Sequence, residues 1–287
     1  MIRRVLFPVD FSMVSEYAFS NCIPRFFSTG VAEELILVHV VEVHLTGEYY
    51  VDVDKIETET KERLDNVASE FREIGINVTK TIVRLGTPPL EIAKVAEDED
   101  VDLIYMPSKG EHILRDMFIG TTAANVARVA TKPVLLVKYE WDKARHTVKC
   151  IWDARRVFDN PLIALDFSPC SDSIVEAVNG LFGDYVKKAT LMHVIDYGKP
   201  EEYKKITEEV LKKLEEYAGK FKFECDIEVG TGVASNAIIN EAVIKGSTVI
   251  VVGKRGRSVI KDLLLGSTAD GVMRRSMLPV LLIPCKY

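Results

Sequence analysis

The residues best suited to chemistry follow one apolar run in the second half of the chain. Val249-Ile250-Val251-Val252 leads into Gly253-Lys254-Arg255-Gly256, and nine residues later Gly266-Ser267-Thr268 opens a helical segment. A glycine at the carboxyl end of a strand lets a ligand lie against bare backbone, and a second permits unusual backbone angles. Gly-Ser at a helix start offers N–H groups and a hydroxyl to phosphate oxygens. The chemistry this spacing suits is the binding of a phosphorylated ligand. The bland alternative is that the glycines serve turns and Ser267 caps a helix.

The elements that must position this run occur twice. Val9-Asp10-Phe11-Ser12 returns as Leu165-Asp166-Phe167-Ser168, and Leu37-Val38-His39-Val40 as Leu191-Met192-His193-Val194. Gly120-Thr121-Thr122-Ala123 returns as Gly266-Ser267-Thr268-Ala269, and Pro133-Val134-Leu135-Leu136-Val137 as Pro279-Val280-Leu281-Leu282-Ile283. Asp10 to Asp166 is 156 residues and Gly120 to Gly266 is 146, so the copies differ by small length changes in the middle. The order of elements is the same in both. The expected boundaries are a first domain over 1–140, a linker over 141–158 that holds the charged run Asp142 to His146, and a second domain over 159–287.

Short apolar runs alternate with helical periodicity in each half, which predicts βα units around a parallel sheet. Strands are expected at Val5 to Val9, Leu35 to Val40, Val78 to Val83, Val101 to Met106 and Val134 to Val137. Ile56, Thr60, Leu64, Val67 and Phe71 mark one helix face, and Ile206, Val210, Leu214 and Tyr217 its counterpart. Phe223, Cys225, Ile227 and Val229 alternate as a strand does. The final strand of each half has no helix after it to cover the sheet edge, which invites pairing. The two final strands could pair with each other, making one chain a pseudo-dimer, and a homodimer of chains is left open.

At 287 residues, 47% hydrophobic and 28% charged, the chain can bury a core in each half. Its net charge is −6 with no basic stripe, which argues against nucleic acid as a partner. No apolar run reaches the roughly 20 residues of a membrane span, and the N-terminal apolar stretch stops at Asp10. The five cysteines are scattered and odd in number, so they read as free thiols of a reducing cytoplasm. His39 and His193 lack a metal-ligand partner at useful spacing and read as structural. Gly230-Thr231-Gly232 reads as a turn, since the acidic residue of a dinucleotide site is missing after the next strand.

The G-x2-G-x9-G-(S/T) spacing after a buried strand, the Asp ending the first strand and the Pro-Val-Leu-Leu final strand together resemble the universal stress protein family. The resemblance covers almost the whole chain as two copies. It implies an α/β fold of two tandem domains, each a five-stranded parallel sheet flanked by helices, Rossmann-like and of the adenine nucleotide α-hydrolase type. It also implies ATP or AMP as ligand, with Mg²⁺ accompanying ATP. Carried over residue by residue, it places the nucleoside against Ala164, Leu165, Asp166 and Val194. Val252, Gly253, Arg255, Gly256, Gly266, Ser267 and Thr268 would surround the ribose and phosphates. The first half offers Pro8, Val9, Asp10, Val40 and Met106, then Ser108, Gly110, Gly120, Thr121 and Thr122. There Pro107 replaces the first glycine, removing a donor and adding a ring where the ligand should approach.

The implied function is an adenine-nucleotide sensor of stress response that acts through a protein partner not identified by the sequence. A slow Mg²⁺-dependent ATP hydrolase using Arg255 or Lys254 is the enzyme alternative. It lacks a convincing base and a second carboxylate near the motif, so no residue is assigned a catalytic role. A scaffold with one or both sites empty is the third reading.

Overall fold

The structure, a computed structural model, describes residues 1–42, 52–108, 119–142, 147–195, 203–256 and 265–285. The first half runs β1 (Ile2–Pro8), α1 (Met13–Tyr17), α2 (Ile23–Phe27), β2 (Ala32–Val41), α3 (Val53–Glu73) and β3 (Val78–Leu85). It continues with α4 (Pro88–Asp98), β4 (Leu103–Pro107), α5 (Thr121–Val129) and β5 (Val134–Val137). A short antiparallel hairpin, β6 (Tyr139–Asp142) with β7 (Thr147–Cys150), occupies the interval between the halves. The second half runs β8 (Pro161–Ala164), α6 (Pro169–Leu181), β9 (Ala189–Ile195), α7 (Tyr203–Ala218) and β10 (Cys225–Thr231). It ends with α8 (Ala234–Ile244), β11 (Val249–Gly253), α9 (Ser267–Arg275) and β12 (Val280–Ile283).

Ten strands form one sheet in the order β10-β9-β8-β11-β12-β5-β4-β1-β2-β3. Every pairing within a half is parallel, so each half is the five-stranded parallel sheet expected. The edges left open by the two final strands meet each other antiparallel, with Leu281 opposite Leu135. Pairing inside the chain thereby removes two exposed edges.

Strand residues alternate between two cores. Phe7, Leu37, Leu103, Tyr105 and Leu135 join Ile163, Leu191, Val251 and Leu281 on one face. Leu6, Ile36, Ile104 and Leu136 join Leu162, Ile250, Val252 and Leu282 on the other. Each core therefore runs unbroken across the junction, as expected for a sheet buried on both faces. On the first face α3 contributes Leu64, Ala68 and Phe71, while on the second α5 contributes Ala123, Val126 and Ala127. Among the described residues, no helix is long and apolar enough to cross a membrane.

One sequence expectation is corrected. Cys170 and Cys285 are not free thiols but a disulfide, while Cys22, Cys150 and Cys225 are free. The pair is 115 residues apart in sequence, which hides it from a spacing argument. It is close in space because β8, β11 and β12 are neighbours and deliver both cysteines to the same sheet edge.

Candidate functional site

Each half carries a cavity at the carboxyl ends of its strands. In open α/β sheets this edge is where ligands bind. The second cavity, ≈ 320 Å³, is lined by all eleven residues anticipated for it: Ala164, Leu165, Asp166, Val194, Val252, Gly253, Arg255, Gly256, Gly266, Ser267 and Thr268. The first, ≈ 370 Å³, is lined by Pro8, Val9, Asp10, Val40, Met106, Gly120, Thr121 and Thr122. Both fall in the size range of small-molecule sites. Ser108 is buried and does not line the first cavity, and Gly110 lies outside the described residues.

Each aspartate sits at a sharp exit from its strand. Asp10 Oδ1 accepts from the Ser12 N–H at 3.0 Å and from Ser15 Oγ at 2.5 Å. Asp166 Oδ1 accepts from the Ser168 N–H at 3.0 Å and from Ser168 Oγ at 2.6 Å. Ser12 and Ser168, not the aspartates, cap the helices that follow. The residue between aspartate and serine is left-handed in both copies, with φ +54° at Phe11 and +60° at Phe167. That conformation is costly for a residue with a Cβ and it recurs at functional sites. Each phenylalanine packs on the histidine of the adjoining strand, with ring centres 4.8 Å apart for Phe11 and His39 and 4.4 Å apart for Phe167 and His193. The histidines face backbone: His39 Nδ1 lies 2.7 Å from the Val9 carbonyl oxygen and His193 Nδ1 2.7 Å from that of Leu165. Burial pushes the pKa of His39 down.

The glycines are close-approach positions. A Cβ on Gly256 would stand 2.6 Å from Asp166 Oδ2, and one on Gly253 2.4 Å from Cys170 Sγ. Gly266 is the N-cap residue of α9 and donates to the Lys254 carbonyl at 2.8 Å, just as Gly120 donates to the Ser108 carbonyl at 2.8 Å. The two glycine segments therefore share this hydrogen bond despite Pro107. Gly266, Ser267 and Thr268 at the start of α9 line the second cavity together with Arg255. A helix start so placed attracts anions. Ala164, Met192, Val194 and Ile238 supply apolar lining to the same cavity.

The side chain of Lys254 turns away from the cavity and crosses to the other half. Its Nζ donates to the carbonyls of Arg128, at 3.0 Å, and Ala130 at the C-terminal end of α5. Lys138 Nζ makes the converse contact, donating to the Met273 carbonyl of α9 at 2.7 Å. Burial, reinforced by the neighbouring Arg255 charge, pulls the pKa of Lys254 down to about 8.

Sequence reasoning missed Cys170, Ile174, Met192, His193, Ala234, Ile238 and Ala269 as cavity residues. Met192 and His193 adjoin the anticipated Val194, and Ala234 and Ile238 show the four-residue spacing of one helix face. Nothing in the sequence pointed to Cys170.

Comparison with known proteins agrees with this architecture. The family model described as the universal stress protein family matches residues 1–138 and again 158–284. Universal stress protein MJ0577 of Methanocaldococcus jannaschii is 34% identical over 158 residues, spanning 48% of this chain and 96% of its own length. Universal stress protein YxiE of Bacillus subtilis is 29% identical over 151 residues, again 48% of this chain and 100% of its own length. A universal stress protein structure from Archaeoglobus fulgidus superposes with a TM-score of 0.70 at 24% identity, covering 98% of this chain and 96% of that one. Relatives of single-domain length thus match half the chain, whereas that structure shares the tandem fold over nearly all of it. The chain belongs to the universal stress protein family, with two copies of its domain in one polypeptide.

Proposed function

We propose that this protein is an adenine-nucleotide sensor, taking ATP or AMP in the second cavity and changing its contacts with a protein partner in response. The observation that carries this reading is the Gly256 cradle. The missing Cβ lets Asp166, whose Oδ1 is held by serines, bring its Oδ2 up against Gly256 in the lining of the cavity. A ribose hydroxyl donating to Oδ2 would place the base against Val194, Met192 and Ile238, and the phosphates at the start of α9. When ATP is the ligand, Mg²⁺ would accompany its phosphates. The first cavity has the same frame, but Pro107 lines it where the second presents Gly253. It is the weaker site, and the protein works in the cytoplasm.

Calorimetric titration of ATP and AMP into the full chain and into Gly266→Asp tests this. The variant sets a carboxylate at the α9 N-terminus, where it competes with phosphate. Uptake by the wild type and its loss from the second site of the variant are expected. No uptake by the wild type at millimolar nucleotide would overturn the proposal. Prolonged incubation with Mg²⁺ and ATP, followed by phosphate assay, separates a sensor from a slow hydrolase.

A further inference from the structure

We propose that Cys170 and Cys285 form a reversible thiol–disulfide exchange site, built into the wall of the second cavity, through which a small dithiol controls nucleotide affinity. The control, though not the exchange chemistry, rests on the nucleotide reading above.

The disulfide touches the glycine loop from two sides. Cys170 lines the cavity, and its sulfur fills the space that a side chain at residue 253 would need. Cys285 Sγ lies 3.6 Å from the Arg255 carbonyl oxygen. The bond thus ties the start of α6 to the chain beyond β12, with Gly253 to Arg255 held against it. β8, β11 and β12 already pair, so the cross-link adds little to the sheet itself. What it fixes is the segment that faces the phosphates.

The two sulfurs differ in a way that suits exchange. Cys170 is 1% exposed and sits in the first turn of α6, a 13-residue helix capped by Ser168. Cys285 is half-buried and follows the last strand. An incoming thiolate therefore reaches Cys285, while Cys170 is the better leaving group because the helix start stabilises its thiolate.

The first half lacks the pair. Aligning the repeats puts Val14 opposite Cys170 and Tyr139 opposite Cys285. The cross-link is thus confined to the half with the complete glycine motif.

In the reaction, one thiolate of the dithiol attacks Cys285 Sγ. The bond to Cys170 breaks, and Cys170 leaves as a thiolate that takes up a proton. The second thiol of the reductant then attacks the reductant sulfur in the mixed disulfide and releases Cys285. The reductant departs as a disulfide, having given up two electrons and two protons to the two cysteines. A small disulfide oxidant runs the sequence backwards.

Reduction removes the covalent tie between Cys170, packed against Gly253, and Cys285, packed against the Arg255 carbonyl, and so loosens the segment between them; the oxidised chain is the tighter binder. Linkage makes the effect reciprocal, with bound nucleotide opposing reduction by the same factor. The test uses the full chain, oxidised or treated with dithiothreitol. Thiols counted after unfolding should number three in the oxidised chain, Cys22, Cys150 and Cys225, and all five once reduced. Titration with ATP and AMP should show the dissociation constant of the second site rising at least about fivefold on reduction. Cys285→Ser keeps the Cys170 sulfur beside Gly253, and it should bind like the reduced wild type and ignore dithiothreitol. A melting curve checks that this variant is folded, and the wild-type comparison decides the matter if it is not. Five thiols in the oxidised chain would overturn the exchange site and the control together. Equal nucleotide affinities in the two states would overturn the control, whereas no uptake in either state overturns the nucleotide reading and the control together.

Discussion

Lys254 Nζ lies 3.0 Å from the Arg128 carbonyl oxygen, so a residue inside the glycine loop of the second half holds the C-terminal end of a helix in the first. The start of that helix, at Gly120 and Thr121, lines the first cavity. A cation at a helix C-terminus is favourable, and here it spans the junction between the repeats.

Lys254→Met should destabilise the protein by about 0.5–1.5 kcal/mol at pH 7, the net range for a hydrogen bond, because burial of the ammonium offsets the extra strength of a charged donor. The deficit should grow with pH. The folded-state pKa of about 8 lies below the ordinary 10.5, so between those values the unfolded chain holds the extra proton. Wild-type stability therefore gains with rising pH in that window, and the variant lacks the gain. Urea unfolding at pH 7 and pH 10 measures both; a deficit that shrinks at pH 10 contradicts the assignment.

Gly256→Ala should weaken nucleotide binding at the second site about tenfold, equivalent to about 1.4 kcal/mol. The new methyl would stand 2.6 Å from Asp166 Oδ2 and must displace that carboxylate from the cavity. Gly180→Ala, where a Cβ meets nothing within 4 Å, is the control and should bind normally. Equal affinities in the two variants would show that Asp166 does not touch the ligand.

Phe167→Gly should be more stable than Phe167→Ala by about 1–2 kcal/mol, the cost of a Cβ in the left-handed region. Both lose the stack on His193, so the difference isolates the backbone at φ +60°. Urea midpoints compare them directly. An alanine variant as stable as the glycine one would mean that the turn relaxes out of this conformation.

His39 should make the fold acid-sensitive. Its pKa is held below the ordinary 6.5, mainly by burial, so the unfolded chain binds the extra proton as pH falls below that value. The stabilisation is present above pH 6.5 and is lost as pH drops through the folded pKa. His39→Gln should lose less stability between pH 7 and pH 5 than the wild type does. Parallel pH profiles would show that His39 is protonated freely in the fold.

The repeated Asp-Phe-Ser, the alternating apolar runs and the glycine spacing made the fold class and most of the second cavity legible in the amino-acid sequence. These features are local: a strand pattern is read over a few residues, and a phosphate loop is continuous chain followed by a helix start. Asp166 was legible because it recurs at Asp10, and Pro107 because it interrupts a recurring motif.

Only the tertiary structure decided the contacts made across long stretches of chain. It chose the pairing of β12 with β5 from the options the uncovered final strands had left open, brought Cys170 to Cys285, and sent Lys254 to the far end of α5 while its backbone stayed in the loop. No sequence period encodes such meetings, because they depend on which strands become neighbours in the sheet. The left-handed turns at Phe11 and Phe167 belong with them. Phenylalanine gives no local signal for that conformation, which persists because the aspartate, the capping serine and the stacked histidine surround it. The sequence by itself determined two α/β domains in tandem, and the tertiary structure made them one continuous sheet with a disulfide beside the more complete glycine motif.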